Sequence, residues 1–147
     1  MLRRIEERDR AEYIAMCRDF YSGGAVCHSV PDSHFESAFD EMIRSDAYLE
    51  GYVIESEGRT AGYMLFMKSW SQEAGGSFAF LDELYVKPEY RGRGLGREAL
   101  AFAQSQVESD QWRRVRLEVT HDNGSAKELY RSMGYQALAY EQMYIGK

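Results

Sequence analysis

The most informative stretch of the sequence is Val86-Lys87-Pro88-Glu89-Tyr90-Arg91-Gly92-Arg93-Gly94-Leu95-Gly96-Arg97. It joins a predicted strand to a predicted helix, and it contains three glycines and four cationic side chains. Glycines let the backbone approach a ligand closely, and the first turn of a helix presents N–H groups that no helical carbonyl accepts. The helix dipole favours negative charge at the same place. The stretch therefore predicts a site for a phosphate group.

Two widespread phosphate-binding motifs do not fit this stretch. The P-loop string G-x-x-x-x-G-K-[ST] does not occur in the sequence. The dinucleotide fingerprint G-x-G-x-x-G fails because Arg97 stands three residues after Gly94. The strands predicted before it also form a meander rather than a β-α-β unit. A glycine-rich turn with surface arginines is the alternative structural interpretation.

The segments around this stretch predict a mixed α/β domain. Residues 48–56, 60–70 and 77–86 have strand character and are separated by short glycine-containing turns, which predicts an antiparallel meander. A helix over residues 94–109 and a strand over 113–120 follow, and they predict a parallel crossover.

The ends of the chain predict the remaining elements. Residues 2–6 form a short edge strand, and Asp9 caps a first helix. Ser33 and Glu36 have the spacing of a capping box at the start of a second helix. Asp122 or Asn123 caps a last helix that Gly134 ends. Residues 135–145 then predict one or two closing strands.

Composition and charge exclude several classes of protein. The 147 residues, 44% of them apolar, predict a single domain over residues 1–147 with a real core. The net charge of −6 argues against a nucleic-acid partner. The sequence shows no signal peptide and no membrane span, so we expect a cytoplasmic protein without a membrane partner. Cys17 and Cys27 predict reduced thiols, and the three histidines lack metal-ligand spacing, so no metal is expected.

The charge is unevenly divided along the chain. Residues 1–86 hold 16 Asp/Glu and 8 Lys/Arg, whereas residues 87–147 hold 8 Asp/Glu and 10 Lys/Arg. The division falls at the glycine-rich stretch. This asymmetry raises the hypothesis that the two parts hold ligands of opposite sign, and scatter among solvated side chains is the alternative interpretation.

Two motifs together carry a resemblance to a known family. Arg91, Gly94 and Gly96 match R/Q-x-x-G-x-G/A, and residues 123–135 match N-x-x-A-x-x-L-Y-x-x-x-G-F/Y after the strand that contains Leu117-Glu118-Val119. The sequence resembles the GNAT superfamily of acyl-CoA-dependent N-acetyltransferases over essentially its whole length. The resemblance implies a mixed, mostly antiparallel sheet of six to seven strands, flanked by about four helices, with strands four and five splayed.

The same resemblance implies acetyl-CoA as co-substrate and a set of residues to hold it. Backbone N–H groups of the glycine-rich loop would bind the pyrophosphate, and those near the end of the fourth strand would bind the pantetheine arm and polarise the acetyl carbonyl. The implied cofactor-binding residues are Leu84, Tyr85, Val86, Arg91, Gly92, Arg93, Gly94, Leu95, Gly96, Arg97, Asn123, Ala126 and Tyr130.

The resemblance also implies the catalytic groups. Tyr130 occupies the family's general-acid position, and a phenol with a pKa of about 10 suits protonation of a leaving thiolate. Glu83, late on the fourth strand, is one candidate for the general base. Glu118 is its rival because it precedes Tyr130 by 12 residues, as the base does in ribosomal-protein acetyltransferases. Ordered water is the third alternative.

Substrate choice is expected in the first helix pair, its loop and the loop near residue 70. The expected substrate-binding residues are Tyr21, His28, Glu36, Trp70 and Glu83. An acidic and aromatic lining favours a small cationic amine as the small-molecule partner, with a peptide or protein amine as alternative. A non-catalytic acyl-CoA-binding module and an interaction domain are the other classes. A homodimer through the last strands is a further possibility that the family implies.

Overall fold

The computed structural model describes residues 1–23 and 30–146. One sheet has the strand order β1-β2-β3-β4-β5 and runs across the molecule. Its strands are β1 (Leu2–Arg4), β2 (Leu49–Ser56), β3 (Arg59–Ser71), β4 (Gly76–Val86) and β5 (Arg114–Leu117). The helices are α1 (Arg10–Ser22), α2 (Asp32–Arg44), α3 (Leu95–Glu108) and α4 (Gly124–Ser132), with short 3₁₀ turns at Glu7–Asp9 and Pro88–Tyr90.

The predicted meander and crossover are confirmed. Strands β1 to β4 pair antiparallel with their neighbours, and β5 pairs parallel with β4 after the α3 crossover. The closing strands predicted over residues 135–145 are wrong, because residues 135–146 contain no strand. The described part of the chain therefore forms a five-stranded sheet rather than one of six to seven strands.

Helices cover the two faces of the sheet. Helices α1 and α2 pack on one face, where Phe39, Val53 and Tyr63 are fully buried. Helix α3 packs on the other face, where Met64 and Leu100 are fully buried. Burial on both faces of the central strands explains why β2 and β3 are apolar along most of their length, without strict alternation.

Two predicted helix caps differ from the structure. Asp9 precedes α1, but its carboxylate binds the Arg3 guanidinium and the backbone N–H of Glu6 instead of capping that helix. Helix α2 begins at Asp32 after Pro31, so Ser33 already lies inside the helix and the predicted capping box is absent. Asp32 is held by an ion pair with Arg18 (2.6 Å). In both cases a distant arginine determines what the short acidic side chain does.

Strand β4 carries an extra residue and then separates from β5. Leu65 on β3 faces Glu83, but the next residue, Phe66, faces Leu81, so Asp82 is an extra residue in a β-bulge. The β4–β5 ladder runs from Phe78/Arg114 to Leu81/Leu117 and stops there. Residues 82–86 continue alongside β3 alone. We call the opening between residues 82–86 and the chain that leaves β5 after Leu117 the fork, and it confirms the expected splaying.

Candidate active site

The open edge of β4 presents backbone groups to the fork. The N–H of Lys87 donates to the carbonyl of Ala61 on β3 at 2.9 Å. Because backbone groups alternate in direction along a strand, Tyr85 also points its N–H to β3, whereas Leu84 and Val86 point theirs to the fork. The carbonyl of Val86 accepts a hydrogen bond from Arg91 Nε at 2.9 Å. Of the three residues expected here, Leu84 and Val86 therefore offer their backbone N–H groups.

The glycine-rich loop ends in an uncapped helix N-terminus. Gly92 and Gly94 have φ angles of 74° and 83°, a left-handed conformation that favours glycine. Helix α3 begins at Leu95, and in the described chain no side chain caps it. The first N–H groups of α3, those of Leu95, Gly96 and Arg97, are therefore free of intrahelical acceptors. They are arranged as an anion-binding helix start requires.

The cations of this loop differ in their partners. Lys87 binds Glu12 of α1, and the Arg93 guanidinium lies 3.8 Å from the Glu57 carboxylate. Acids distant in sequence therefore fold back onto the loop and offset two of its four cations. Arg91 and Arg97 have no ion-pair partner within the described residues. Arg97 instead donates to Ser132 Oγ at 2.9 Å.

Glu83 is a buried carboxylate held by two tyrosines. Only 6% of its surface is exposed. The Tyr21 hydroxyl donates to Oε1 at 2.6 Å, and the Tyr63 hydroxyl donates to Oε2. Burial raises the pKa of the Glu83 carboxyl, the two tyrosine hydrogen bonds lower it, and the nearby Asp82 raises it, with a net increase. A carboxylate in this state is set to take up a proton more readily than an exposed glutamate does.

Tyr63 was not among the residues predicted from the sequence. It lies opposite Tyr85 in the β3–β4 register, on the same face as Glu83. The buried Cys17 thiol and Tyr13 lie beside this cluster, and burial raises the pKa of Cys17 to about 12. The register of a bulged strand pair is the signal that would have placed Tyr63 here, and the sequence alone does not contain it.

Glu118 and Asp82 flank the base of the fork. Glu118 follows Leu117 directly, is exposed, and shares a groove with Asp82. Much of the surface of Asp82 is solvent-accessible, yet many protein atoms surround its carboxyl group. Desolvation, with a smaller effect of Glu118, raises the pKa of Asp82. The two carboxylates therefore make this end of the groove acidic.

Helix α4 follows the fork in sequence and packs beside the start of α3, where Arg97 donates to Ser132. The side chain of Asn123 accepts a hydrogen bond from the N–H of Ala126 at 3.2 Å, which confirms Asn123 as the cap. Tyr130 is half-buried with its ring 5.9 Å from that of Tyr135, and burial raises the pKa of its hydroxyl. Tyr130 packs with the α3 side of the sheet, whereas Glu83 packs with the α1 and α2 side. The two side chains thus belong to opposite faces of the sheet.

The structure brings together some of the predicted substrate residues. Tyr21 contacts Glu83 directly. Glu36 instead lies 3.2 Å from Arg10, at the opposite end of α1 from Tyr21. Trp70 is 74% exposed, and the alternation along β3 places it on the face opposite to Ser69. His28 lies outside the described residues.

The described residues contain neither a metal-binding cluster nor a membrane-spanning helix. Within residues 1–23 and 30–146, no group of three His, Cys, Asp or Glu side chains could hold a metal ion. The helices in the same ranges are all too short or too polar to cross a bilayer.

Comparisons with known proteins agree with this architecture. The sequence model of the acetyltransferase (GNAT) family matches residues 10–135. Thialysine N-epsilon-acetyltransferase of Bos taurus is 26% identical over 94% of this chain and 85% of its own length. A putative ribosomal protein bS18-alanine N-acetyltransferase of Bacillus subtilis is 30% identical over 69% of this chain and 62% of its own length.

A solved structure shows the same fold over the whole chain. The structure of a possible acetyltransferase from Clostridium difficile 630 superposes with a TM-score of 0.87, covering 100% of this chain and 97% of that one at 16% identity. The family match spans the loop, the fork and α4 together. The chain therefore belongs to the GNAT acetyltransferase family.

Proposed function

We propose that this protein transfers the acetyl group of acetyl-CoA directly to a primary amine, with Glu83 as general base and Tyr130 as general acid. The observation that carries the proposal is the position of Glu83. It is a buried carboxylate, bound to two tyrosine hydroxyls, at the point where β4 loses its β5 partner. Burying a carboxylate without a cationic partner lowers the stability of the fold. A catalytic role explains why the chain has a carboxylate at this position despite that cost.

The described residues fit acetyl-CoA as donor. The free N–H groups at the start of α3, the positive φ angles of Gly92 and Gly94, and Arg91 and Arg97 suit the pyrophosphate. The edge N–H groups of Leu84 and Val86 suit the pantetheine arm and the acetyl carbonyl, where two donors would stabilise the developing oxyanion. Gly96 lets α3 pack closely on α4, since a Cβ there would lie 3.4 Å from Leu129.

From ammonium to amide the nitrogen loses two protons, one before it attacks and one as the amide forms, while the leaving thiolate gains one. Bound acetyl-CoA supplies a thioester carbonyl carbon, to which the amine nitrogen forms a C–N bond while the C–S bond breaks. Glu83 accepts the proton that the ammonium must lose before its nitrogen can attack, and its raised pKa assists this. Tyr130 donates a proton to the departing thiolate sulfur. Glu83 passes the first proton on to solvent, and the second restores the proton that Tyr130 gives to the thiolate. Tyr21 and Tyr63 hold the Glu83 carboxylate in one orientation throughout.

Glu83 is favoured over Glu118 as the base by its environment. Glu118 is solvent-exposed, whereas Glu83 is buried and carries a raised pKa. Burial strengthens each electrostatic interaction that the carboxylate makes with an approaching ammonium. Asp82 and Glu118, one on each side of the base of the fork, are placed to attract a cation rather than to remove its proton.

The proposed acceptor is a small cationic amine. The acidic end of the groove at Asp82 and Glu118 supports a cation, and one relative is named for thialysine, an amine substrate. A second candidate is a protein N-terminus, favoured by the relative named for ribosomal-protein alanine acetylation. Asp32, Glu36 and Glu73 lie in the helix pair and the loop near residue 70 where substrate choice was expected. Each of them pairs with an arginine in the structure, so they contribute less charge to the acceptor.

Acetylation assays test the proposal. Coenzyme A release is followed with thiol reagent across diamines, aminoglycosides, amino acids and peptides, each with wild-type protein and with Glu83→Gln. We expect release with at least one amine class and its near loss in Glu83→Gln. Tight acetyl-CoA binding without release for any acceptor would instead identify a non-catalytic binding module.

A further inference from the structure

An open groove of about 550 Å³ runs below the fork on one face of the sheet. Its lining includes Met67 on β3, Phe78 and Phe80 on β4, and Arg116 on β5. These residues share a face because Met67 is opposite Phe80, and Phe80 is opposite Arg116, in the strand registers. Helices α1 and α2 cover the upper part of this face, but their packing cluster does not include these four residues. The groove therefore offers an apolar floor that begins where the fork ends.

The groove carries acids at one end and a cation further along. Asp82 and Glu118 stand at the fork, and Arg116 lies one same-face step below Glu118. Two residues along a strand advance by about 6.6 Å. The groove therefore presents a negative and a positive position one same-face step apart, and Phe80 and Met67 form an apolar floor beside the positive one.

Arg116 differs from the arginine that precedes it on the same face. Arg114 is paired with Glu73 at 3.4 Å. Arg116 is half-buried, yet it has no ion-pair partner within 4.0 Å among the described residues. An arginine held in a groove without an acid is available to a carboxylate, which it can bind with two parallel hydrogen bonds.

We propose that the acceptor is an amino acid with a terminal amine, whose carboxylate binds Arg116 while its amine reaches the fork. The methylene chain leaves the apolar floor beside Phe80, and the ammonium approaches Asp82, Glu118 and Glu83. Charges of both signs at the two ends fix the direction in which the molecule enters. A lysine-like side chain matches the spacing between the Arg116 level and the fork. The inference rests on the proposed acetyltransferase function and narrows its substrate class.

Paired substrates test this inference. L-Lysine and 1,5-diaminopentane share the terminal amine and chain, and only lysine has the carboxylate. We expect kcat/KM for lysine to exceed that for the diamine by about 10-fold or more, since a charged hydrogen-bonded contact has that effect. In Arg116→Gln, kcat/KM for lysine should fall by about 10- to 100-fold, while the value for the diamine stays within about twofold.

A matched control and a binding measurement complete the test. Arg114→Gln, on the same face but already paired, should leave the lysine-to-diamine ratio unchanged. Calorimetry should show lysine binding to wild-type protein and its loss in Arg116→Gln. Three outcomes would overturn the inference while the acetyltransferase function stands. The first is equal kcat/KM for lysine and the diamine, and the second is an unchanged lysine-to-diamine ratio in Arg116→Gln. The third is turnover only of amines without a carboxylate, blocked peptides included. Arg116-dependent lysine binding without coenzyme A release would overturn the acetyltransferase function, and with it lysine as acceptor, and would leave only Arg116 as a carboxylate-binding residue.

Discussion

The two halves of β4 differ in what they contribute. The half from Gly76 to Leu81 has β3 on one side and β5 on the other along most of its length, and its Ala79 and Leu81 are buried apolar residues. The half from residue 82 to 86 has β3 alone, and it buries a carboxylate, Glu83. One continuous strand thus serves first as sheet interior and then as a reactive edge. The bulge at Asp82 marks the change.

The difference shows how a sheet can hold a site without a separate structural element. An unpaired strand edge normally invites aggregation, and here α4 and the glycine-rich loop flank it. The buried Glu83 is tolerated because Tyr21 and Tyr63 donate to both of its oxygens. We expect substitutions in the paired half to affect stability and those in the open half to affect activity.

The largest effect is expected at Glu83. Glu83→Gln keeps the size of the side chain but removes the base, so kcat/KM should fall by about 10²- to 10⁴-fold. Steady-state kinetics at pH 7 would measure it. The control is Glu118→Gln, at the exposed side of the fork, for which we expect a change of less than about tenfold because it contributes only attraction. A larger loss in Glu118→Gln than in Glu83→Gln would assign the base to Glu118, directly after β5.

In the paired half, Leu81→Ala should act on stability alone. Leu81 is 3% exposed and packs with the α3 side of the core. Removing its side chain should lower the free energy of unfolding by about 2–5 kcal/mol. Chemical denaturation would measure this change. The kcat per folded molecule should stay close to wild type, and a kcat loss comparable to that of Glu83→Gln would break the division between the halves.

After the open half of β4, Gly94→Ala tests the glycine-rich loop. Gly94 has φ 83°, so an alanine there is strained by about 1–2 kcal/mol although no atom lies within 4 Å of its Cβ. We expect the Kd for acetyl-CoA, measured by calorimetry, to rise by about 5- to 30-fold if the strain shifts the loop N–H groups. Gly124→Ala is the control, because it also meets open space but has no positive φ. Equal increases of the Kd in both variants would contradict the assignment of the glycine-rich loop as the acetyl-CoA-binding loop.

The smallest effect is a shift in pH dependence. The Tyr63 hydroxyl stabilises the ionised form of Glu83, so Tyr63→Phe should raise the pKa of that carboxyl further. The base works ionised, and the acidic limb of the kcat/KM profile should therefore move to higher pH, with the plateau above it little changed. Tyr52→Phe, which removes a hydroxyl that donates to Glu50 on the other face, should leave that limb in place. A limb that moves to lower pH would contradict the role of Tyr63.

Local pattern predicted most of the elements but few of their contacts. The meander, the α3 crossover and the Asn123 cap follow from spacing within a few residues. The Ser33 cap failed because Asp32, paired with Arg18, starts the helix one residue earlier. The closing strands predicted over residues 135–145 are absent from residues 135–146, where Leu138 and Met143 are exposed rather than buried in a sheet.

In the site, too, the sequence predicted individual residues better than the contacts between them. The glycine-rich loop, Glu83 and Tyr130 were predicted from motifs and from the family resemblance. The Tyr63 contact with Glu83 depends on register across a bulge, and the Lys87–Glu12 pair joins residues far apart in sequence. Neither contact can be predicted from the residues next to it in the sequence. Trp70 was expected in the site for its aromatic character, and strand alternation places it on the other face.

Amide hydrogen exchange with and without acetyl-CoA tests the central claim most directly, because it reads the two halves of β4 in one experiment. The N–H groups of Leu84 and Val86 face the fork, whereas those of Ala79 and Leu81 belong to the paired half. The account predicts slower exchange at Leu84, Val86 and the first turn of α3 on acetyl-CoA addition, with little change at Ala79 and Leu81. Saturating acetyl-CoA binding that leaves exchange at Leu84 and Val86 unchanged would contradict it.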